Sequence, residues 1–285
     1  MNAVFRSGTM NDAMACGTIC YEAFKAIAQQ HNFPPDIPSA EFAIGLLSRV
    51  LSRTDVYSVV AEIDHRVIGS NFLWEGDTIA SIGPITVIPD AQNSSVGRQL
   101  MERVLERART RQHVGVRLVQ SAYHNRSLSL YTKLGFHARE PLTVLQGQPL
   151  KLQQPGCHVR PATNADLDAC NALCLSIHGH DRQGELVHAL ADGTATVVEH
   201  FGQITAYATN IGFFSHAIAR TNEDLKALIG AAPEFAGPGF LLPTRNAELL
   251  RWSLTHGLRV IQPMTLMSLG LYQKPAGAYL PSVLY

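Results

Sequence analysis

The stretch TIASIGPITVIPDAQNSSVGRQLMERVLERARTRQ, residues 78–112, decides the fold of the first half of this chain. Its first part, residues 78–89, is rich in β-branched residues and predicts a strand that Pro89 ends. A polar loop runs from Asp90 to Ser95, and a helix follows it. In that helix the apolar residues recur with helical spacing and predict one buried face; they are Val96, Leu100, Met101, Val104, Leu105 and Ala108.

The junction between this strand and this helix is suited to bind an anion. The first amides of a helix have no intrahelical acceptor, and the helix dipole is positive at that end. Small residues at the junction, Ser94, Ser95 and Gly97, let a ligand approach the backbone closely. The sequence therefore predicts that a phosphate group binds at the start of this helix.

The stretch VGVRLVQSAYHNRSLSLYTKLGF, residues 114–136, carries the second informative pattern. It predicts an apolar strand and then a helix that starts near Asn125 and closes at Gly135. Tyr131 stands six residues after Asn125 and faces the inner side of this helix. Packing alone would be a sufficient role for a tyrosine in this position.

Taken in order, these two stretches resemble the GNAT acetyltransferase superfamily. The family's pyrophosphate loop reads Gln/Arg-x-x-Gly-x-Gly/Ala after a strand that ends Val-x-Pro, and here Val87-Ile88-Pro89 precedes Gln92 to Gly97. Ser95 replaces the first glycine of that pattern. The family's Asn-x5-Tyr-x3-Gly-Phe pattern is similar to the segment from Asn125 to Phe136. The resemblance covers residues 1–150, and it predicts a catalytic acetyltransferase domain there.

The resemblance implies a twisted mixed sheet that binds acetyl-CoA as co-substrate, without a metal. The pantetheine arm is expected on the backbone of Ile85, Thr86 and Val87. The diphosphate is expected on Gln92, Asn93, Ser94, Ser95, Val96, Gly97 and Arg98, and the cofactor contacts are completed by Asn125, Ser127 and Tyr131. Arg98 could equally be a solvated helix residue. Serine in a left-handed conformation at position 95 would cost about 1–2 kcal/mol.

The implied reaction is attack of a primary amine, on a small molecule or a peptide, on the thioester of acetyl-CoA. A lysine-like amine needs about 4.6 kcal/mol to become neutral at pH 7, so a general base is expected. Glu75 and His124 are the base candidates, and the residues alone do not choose between them. The resemblance implies Tyr131 as the proton donor to the departing thiolate. A non-catalytic acyl-CoA sensor or partner-binding module is the alternative function.

The chain also contains an internal repeat. Six residues near the N-terminus, Arg6, Thr9, Asp12, Ala15, Cys16 and Cys20, recur at one constant offset as Arg160, Thr163, Asp166, Ala169, Cys170 and Cys174. VVAEIDHRVIG (59–69) is similarly echoed by TVVEHFGQITA (196–206). The Gln-, Pro- and Gly-rich segment 147–157 predicts the boundary. The expected domains are a catalytic domain at 1–150 and a second GNAT-like domain at 156–285.

The second copy is expected to be degenerate. Only Arg220-Thr221-Asn222 separates its strand from its helix, which leaves no room for the phosphate-loop pattern. Trp252 stands at the position that corresponds to Tyr131, and its indole is a poor proton donor to sulfur. The fold expected is therefore α/β, or mixed α+β, with two GNAT-like domains, each a twisted mixed sheet flanked by helices. A structural, dimerising or acceptor-shaping role follows for the second domain, with a homodimer as one expected assembly.

Composition excludes several classes of function. Lys plus Arg equal Asp plus Glu at 23 each, so no basic excess points to a nucleic-acid partner. No apolar run approaches the roughly 20 residues that span a bilayer, and a cytoplasmic enzyme without a membrane partner is expected. The chain has 5 cysteines, and an odd number argues against a disulfide framework. The two Cys-x-x-x-Cys pairs are interpreted as apolar helix residues. A metal site is conceivable at Cys170 and Cys174, because His178 and His180 follow closely, but zinc sites usually have Cys-x-x-Cys spacing, so no metal is expected.

Overall fold

The structure is a computed structural model that describes residues 3–92 and 94–284. The chain divides into two compact units, Met1–Arg117 and Leu118–Tyr285. The strand β6 (Gly115–Ser121) begins in the first unit and ends in the second.

The first unit is a mixed sheet with helices on both faces. Its other elements are β1 (Val4–Ser7), α1 (Ala13–Gln30), α2 (Ala40–Ser52), β2 (Val56–Ile63), β3 (Arg66–Trp74), β4 (Ala80–Ile82), β5 (Thr86–Val87) and α3 (Val96–Thr110). The strands β1, β2, β3 and β4 pair antiparallel in that order. The pair β4–β6 is parallel, with Ala80 opposite Val116 and Ser81 opposite Arg117.

Neighbouring residues of β3 show how the helices of the first unit are distributed. Phe72 belongs to an apolar cluster with Cys16 and Cys20 of α1 and with Leu47 of α2. The side-chain amide of Asn71 instead donates to the Leu100 carbonyl oxygen of α3, at 3.4 Å. Because successive side chains of a strand point to opposite faces, α1 and α2 lie on one face and α3 on the other. The predicted apolar stripe of α3 is confirmed, since all six of its residues are buried.

The segment 78–89 is not one strand, as its composition predicts, but two short strands. β4 ends at Ile82, and after Gly83 and Pro84 the chain resumes as β5, which pairs with β3. Proline has no amide hydrogen to give to a ladder, and Gly83 has a φ of +143° that few other residues adopt. The two residues interrupt the strand that the β-branched composition alone would favour.

The second unit contains two antiparallel sheets. Its elements are α4 (Asn125–Lys133), β7 (His137–Gln146), β8 (Cys157–Pro161), α5 (Leu167–His178), α6 (Gln183–Ala191), β9 (Thr196–His200), β10 (Gln203–Ala208), β11 (Ala217–Ala219), α7 (Asn222–Ala231), β12 (Phe240–Pro243), α8 (Ala247–Thr255), β13 (Arg259–Gly270) and β14 (Ala278–Leu280). One sheet has the order β14-β11-β10-β9-β8. In the other sheet, β7 lies between β13 and β12.

The internal repeat is visible as one ion-pair network formed in each unit. In the first unit the Arg6 guanidinium bonds both oxygens of Asp12, at 2.8 and 2.7 Å, and also reaches Glu62 at 2.5 Å. Asp12 also accepts from the backbone and the hydroxyl of Thr9. This network fixes the start of the first helix against the strand β2.

The second unit repeats this network: the constant offset pairs its arginine, threonine and aspartate with those of the first unit, and the match of 196–206 with 59–69 pairs Glu199 with Glu62. Arg160 bonds both oxygens of Asp166 at 2.8 Å and Glu199 at 2.6 Å. Thr163 bonds Asp166 as Thr9 bonds Asp12. The arginine, threonine and aspartate that recur in the sequence therefore stabilise the same turn in each of the two units.

The repeat boundary and the packing boundary differ in position. The strand β7 precedes segment 147–157 and so belongs to the first repeat, yet β13 and β12, its two neighbours in the sheet, come from the second. Its pairing assigns it to the second compact unit. The functional division into 1–150 and 156–285 stays a prediction. None of the helices described in this chain has the length and apolar character that a membrane crossing requires.

Candidate functional site

The start of α3 has the backbone conformation that the predicted phosphate loop requires. Ser95 precedes the helix with φ +67° and ψ −5°, in the left-handed region. Its hydroxyl does not cap the helix but accepts a hydrogen bond from the Gln99 side chain at 3.0 Å. The first-turn amides are therefore left without a side-chain acceptor from the residue that would ordinarily supply one.

Gly97, in the first turn of α3, is not required by the packing of the protein. Among the described residues, a Cβ atom at this position would meet only the Val87 side chain, at an ordinary contact distance of 3.8 Å. The missing side chain instead leaves the backbone open to a close approach by a ligand. An uncapped helix start and an unobstructed first turn together fit the oxygens of a diphosphate.

The remaining residues of the predicted loop frame this helix start. The Gln92 side chain donates to the Val87 carbonyl oxygen at 3.3 Å, and Ser94 donates to the carbonyl of Ala91. Arg98 is 65% exposed in its side chain and pairs with Glu102 at 2.8 Å, one turn further on. The predicted contact Asn93 lies outside the described residues.

The predicted pantetheine-binding segment lies at β5. Thr86 pairs with Ser70 of β3 and Val87 with Gly69, while Ile85 directly precedes the strand. A Cβ atom at Gly69 would come within 2.7 Å of the Thr86 carbonyl oxygen, so glycine is needed for this approach. The Thr86 hydroxyl is buried and has no hydrogen-bond partner among the described residues.

Glu75, one of the two base candidates, is held in an ion pair within the first unit. Arg107 of α3 donates to both of its carboxylate oxygens, at 2.7 and 2.9 Å. The guanidinium also lies over the Tyr57 ring, 5.1 Å from its centroid. Sequence reasoning missed Arg107, because a pairing across 32 positions leaves no local pattern. A bidentate pair occupies the carboxylate that would have to accept a proton.

Tyr131, in the second unit, is buried in the inner face of α4. Its ring is 6% exposed, and burial raises the pKa of its hydroxyl to about 12, partly offset by a hydrogen bond with Ser127. The phenol therefore carries its proton throughout the physiological pH range. Its ring centroid is 6.2 Å from that of Phe136, the last residue of the predicted motif.

His124 is the second base candidate and immediately precedes α4. Its Nδ1 atom lies 2.6 Å from the Ser127 hydroxyl oxygen, and Ser127 in turn bonds Tyr131. Asn125 begins the helix and is exposed. Three of the predicted side chains, His124, Ser127 and Tyr131, thus form a hydrogen-bonded row along one helix. Their sequence spacing of three and four residues was the available signal.

The corresponding helix start in the second repeat is closed by its own side chains. The Thr221 hydroxyl caps α7 by accepting from the Asp224 amide at 3.2 Å. Asn222, the first residue of α7, exchanges side-chain hydrogen bonds with Asn246 at the start of α8. Asn222 also donates to Glu248 at 2.8 Å. The two helix starts are thereby joined to each other.

The edge of β11 is also occupied in the second repeat. The short strand β14 pairs antiparallel with β11, from Ala217 opposite Leu280 to Ala219 opposite Ala278. β11 corresponds to β4 of the first repeat, whose partner on that side is β6. Trp252, at the tyrosine position, is half-buried beside His256, with ring centroids 4.7 Å apart.

Residues 21–136 match the model of the acetyltransferase (GNAT) family. Among curated proteins, none is significantly similar to this chain.

Several solved structures share the fold over nearly the whole chain. A Pyrococcus horikoshii protein assigned to the acetyltransferases is 16% identical, with a TM-score of 0.74, and the match covers 94% of this chain and 89% of that one. A GCN5-related N-acetyltransferase from Sphaerobacter thermophilus is 15% identical, with a TM-score of 0.63 and coverage of 95% and 96%. A tandem GNAT protein from the clavulanic acid biosynthesis pathway is 14% identical, with a TM-score of 0.56 and coverage of 94% and 98%.

Proposed function

We propose that this protein transfers the acetyl group of acetyl-CoA to a primary amine. The chain carries a GNAT acetyltransferase domain at residues 21–136 and has the fold of tandem GNAT proteins. Its family and fold are those of acyl-CoA-dependent acetyltransferases. The observation that carries the finer proposal is the start of α3, where left-handed Ser95 and Gly97 leave the first-turn amides open.

The diphosphate would lie against the first turn of α3. The amides of Val96, Gly97 and Arg98 lie at a helix start that no side chain of the described residues caps, and the helix dipole adds attraction for negative charge. Gln92 and Ser94 bond neighbouring carbonyls and so hold the preceding turn in shape. The backbone of Thr86 and Val87 would hold the pantetheine arm, as the family resemblance implies.

The reaction forms a bond from the amine nitrogen to the acetyl carbon and breaks the bond from that carbon to sulfur. The nitrogen loses a proton and the sulfur gains one. His124 is the base that we favour over Glu75, because both oxygens of Glu75 already accept from Arg107. Imidazole also has an unperturbed pKa near 6.5, which suits proton transfer at neutral pH.

Tyr131 supplies the proton that the departing sulfur needs. Its pKa of about 12 keeps the proton on the phenol until the thiolate forms. Transfer to a thiol of pKa near 8.5 is uphill by roughly 5 kcal/mol, and the same apolar surroundings that raise the phenol pKa would also raise that of the thiol. Ser127, bonded to both His124 and Tyr131, would return the amine proton to the phenolate.

The proposal is tested by calorimetric titration of the full chain with acetyl-CoA and with CoA. We expect one site per chain, and release of CoA thiol when a suitable primary amine is added. The variant Gly97→Glu places a carboxylate on the first turn of α3 and should weaken binding at least about 100-fold through charge repulsion and steric block. Gly97→Ala is the control for folding and for the added charge: the protein has room for a Cβ atom, 3.8 Å from Val87, and any loss of affinity in this variant measures the steric part of the effect alone.

Three outcomes would overturn the proposal in different ways. Binding of acetyl-CoA without turnover of any amine would favour the acyl-CoA sensor. Two sites per chain would show that the second repeat also binds the cofactor, and binding that survives Gly97→Glu would place the site elsewhere than at α3.

A further inference from the structure

Three side chains of the second unit converge on one point beside the start of α7. Cys157 and His200 are directly opposite each other on the antiparallel strands β8 and β9. Asp224, in the first turn of α7, places a carboxylate oxygen 3.5 Å from His200 Nδ1. One ligand atom from each of the three residues lies within 4.8 Å of the others.

The 3.5 Å between His200 and Asp224 matches the spacing of two ligands of a tetrahedral metal ion, and the Cys157 sulfur lies within 4.8 Å of both, so that a small side-chain adjustment would complete the set. Nitrogen and oxygen ligands bind zinc at about 2.0–2.2 Å and sulfur at about 2.3 Å, so pairs of ligands are about 3.3–3.7 Å apart. The residue types are also suitable, since thiolate, imidazole and carboxylate are the ligands that zinc takes in proteins. The other four cysteines are buried, while Cys157 is partly exposed and accessible.

The carboxylate is already oriented by two neighbouring hydroxyls. Thr205 donates to one oxygen of Asp224 at 2.6 Å, and Thr221 donates to the other at 2.5 Å. Hydrogen bonds of this kind commonly orient the carboxylate ligands of a metal and leave a second lone pair of each oxygen free to bind it. The His200 ring is stacked on Phe201, with centroids 4.3 Å apart, and its Nδ1 atom faces Asp224 at 3.5 Å.

The first repeat lacks this ligand set at every corresponding position. By the constant offset, Ala3 corresponds to Cys157. Ile63, the last residue of β2, corresponds to His200, and Arg98, the third residue of α3, corresponds to Asp224. The convergence is therefore not a by-product of the fold, which both repeats share. It is specific to the copy that lacks the phosphate loop.

Charge in this cluster also favours a cation. Asp224 is 2% exposed. A divalent ion bound beside this buried carboxylate would balance its negative charge and hold the neighbouring Cys157 sulfur as thiolate.

We propose that Cys157, His200 and Asp224 bind one zinc ion, which joins β8, β9 and α7 and leaves its fourth position to water. This site departs from the sequence-based expectation of a metal-free chain. The expectation considered the buried pair Cys170 and Cys174, whereas residues 43 and 24 positions apart create this cluster only in the folded chain.

The test is titration of metal-free full-length protein with Zn²⁺ and with Co²⁺. We expect one ion per chain, a thiolate-to-cobalt charge-transfer band, and a rise in Tm, because the ion binds only the folded state. Cys157→Ser and His200→Gln should each weaken zinc binding by at least about 100-fold and abolish or shift that band. Thr205→Val, which frees one Asp224 oxygen, should weaken it about 10- to 100-fold.

His158→Ala is the matched control. His158 is adjacent to Cys157, and its side chain is 71% exposed, so its loss should leave zinc binding unchanged. Where a variant fails to fold, thiol labelling of the unmodified protein gives an independent result. We expect a thiol reagent to modify Cys157 first and stoichiometric zinc to protect it. Zinc binding that persists in both Cys157→Ser and His200→Gln, or a Cys157 that reacts equally with and without zinc, would overturn the proposal.

Discussion

The starts of α3 and α7 occupy equivalent places in the two repeats and are built in opposite ways. Ser95, before α3, has a left-handed backbone and turns its hydroxyl away from the helix start. Thr221, before α7, has an extended backbone and caps the helix with its hydroxyl. The start of α3 has no cap from the residue before it, whereas at the start of α7 the Asp224 amide is capped by Thr221. The first arrangement suits an anionic ligand better than the second.

The rest of the second repeat agrees with this difference. The reciprocal bonds of Asn222 and Asn246 tie two helix starts together, and β14 takes the edge of β11. The bonds between the two asparagines use polar groups at the start of α7 that a ligand could otherwise contact, whereas the edge of β11 is paired with a strand just as the edge of β4 is. We therefore propose a structural role for the degenerate copy. Its proposed metal ligands are residues that the proposed cofactor site does not use.

The largest effect that would test this comparison is expected for Tyr131→Phe. Removal of the hydroxyl takes away the proposed proton donor but keeps the buried ring, so turnover should fall by roughly 10²–10⁴-fold while acetyl-CoA affinity changes little. Steady-state kinetics and calorimetry on the same preparation measure both quantities.

The matched variant in the second repeat is Trp252→Phe, which should leave turnover and cofactor affinity unchanged. Unchanged turnover in Tyr131→Phe would remove the tyrosine from the mechanism. A loss of cofactor binding in Trp252→Phe would mean that the second repeat is not degenerate.

The ion-pair networks at Asp12 and Asp166 should respond alike, because both repeats keep them. The hydrogen bonds from Arg6 lower the pKa of Asp12 to about 2, and those from Arg160 lower that of Asp166 in the same direction. A depressed folded-state pKa stabilises the protein above the unfolded pKa near 3.9, and this contribution disappears as the pH falls toward 2. Asp12→Asn should cost about 1–2 kcal/mol at pH 6, after allowance for the partly exposed arginine.

Urea unfolding of Asp12→Asn and Asp166→Asn at several pH values measures this effect. The difference in the free energy of unfolding between each variant and the unmodified protein should be largest at pH 6 and should shrink between pH 4 and pH 2. A difference that does not change with pH in either variant would show that the carboxylate charge is not what stabilises that turn.

The smallest expected effects have opposite signs in the two repeats. Ser95→Gly relieves the left-handed strain, at the cost of a more flexible unfolded chain, and should raise stability by about 0.5 kcal/mol. Thr221→Ala removes a helix cap and should lower stability by about 1 kcal/mol. Thermal unfolding of both variants measures whether the stability rises in Ser95→Gly and falls in Thr221→Ala. Ser95→Ala, which keeps the strain, should show no gain; a gain there would assign the effect to the lost hydroxyl instead.

Local patterns were sufficient to predict the elements that depend on neighbouring residues. The buried stripe of α3, the helix start at Asn125 and the repeated Arg-Thr-Asp turn all involve residues within a few positions of one another. The left-handed backbone at Ser95 also follows, because the loop pattern has glycine there. The interrupted strand 78–89 was mispredicted, since its β-branched composition was given more weight than Gly83 and Pro84.

The sequence by itself determined the fold family, the two repeats and the loss of the phosphate-loop pattern from the second, because each is encoded by short-range spacing. The tertiary structure decided which strands pair with β7, which carboxylate Arg107 occupies, and which residues meet Cys157. These contacts join positions that are tens of residues apart. Their formation depends on the summed burial and hydrogen bonding of whole elements, and no local pattern records that sum.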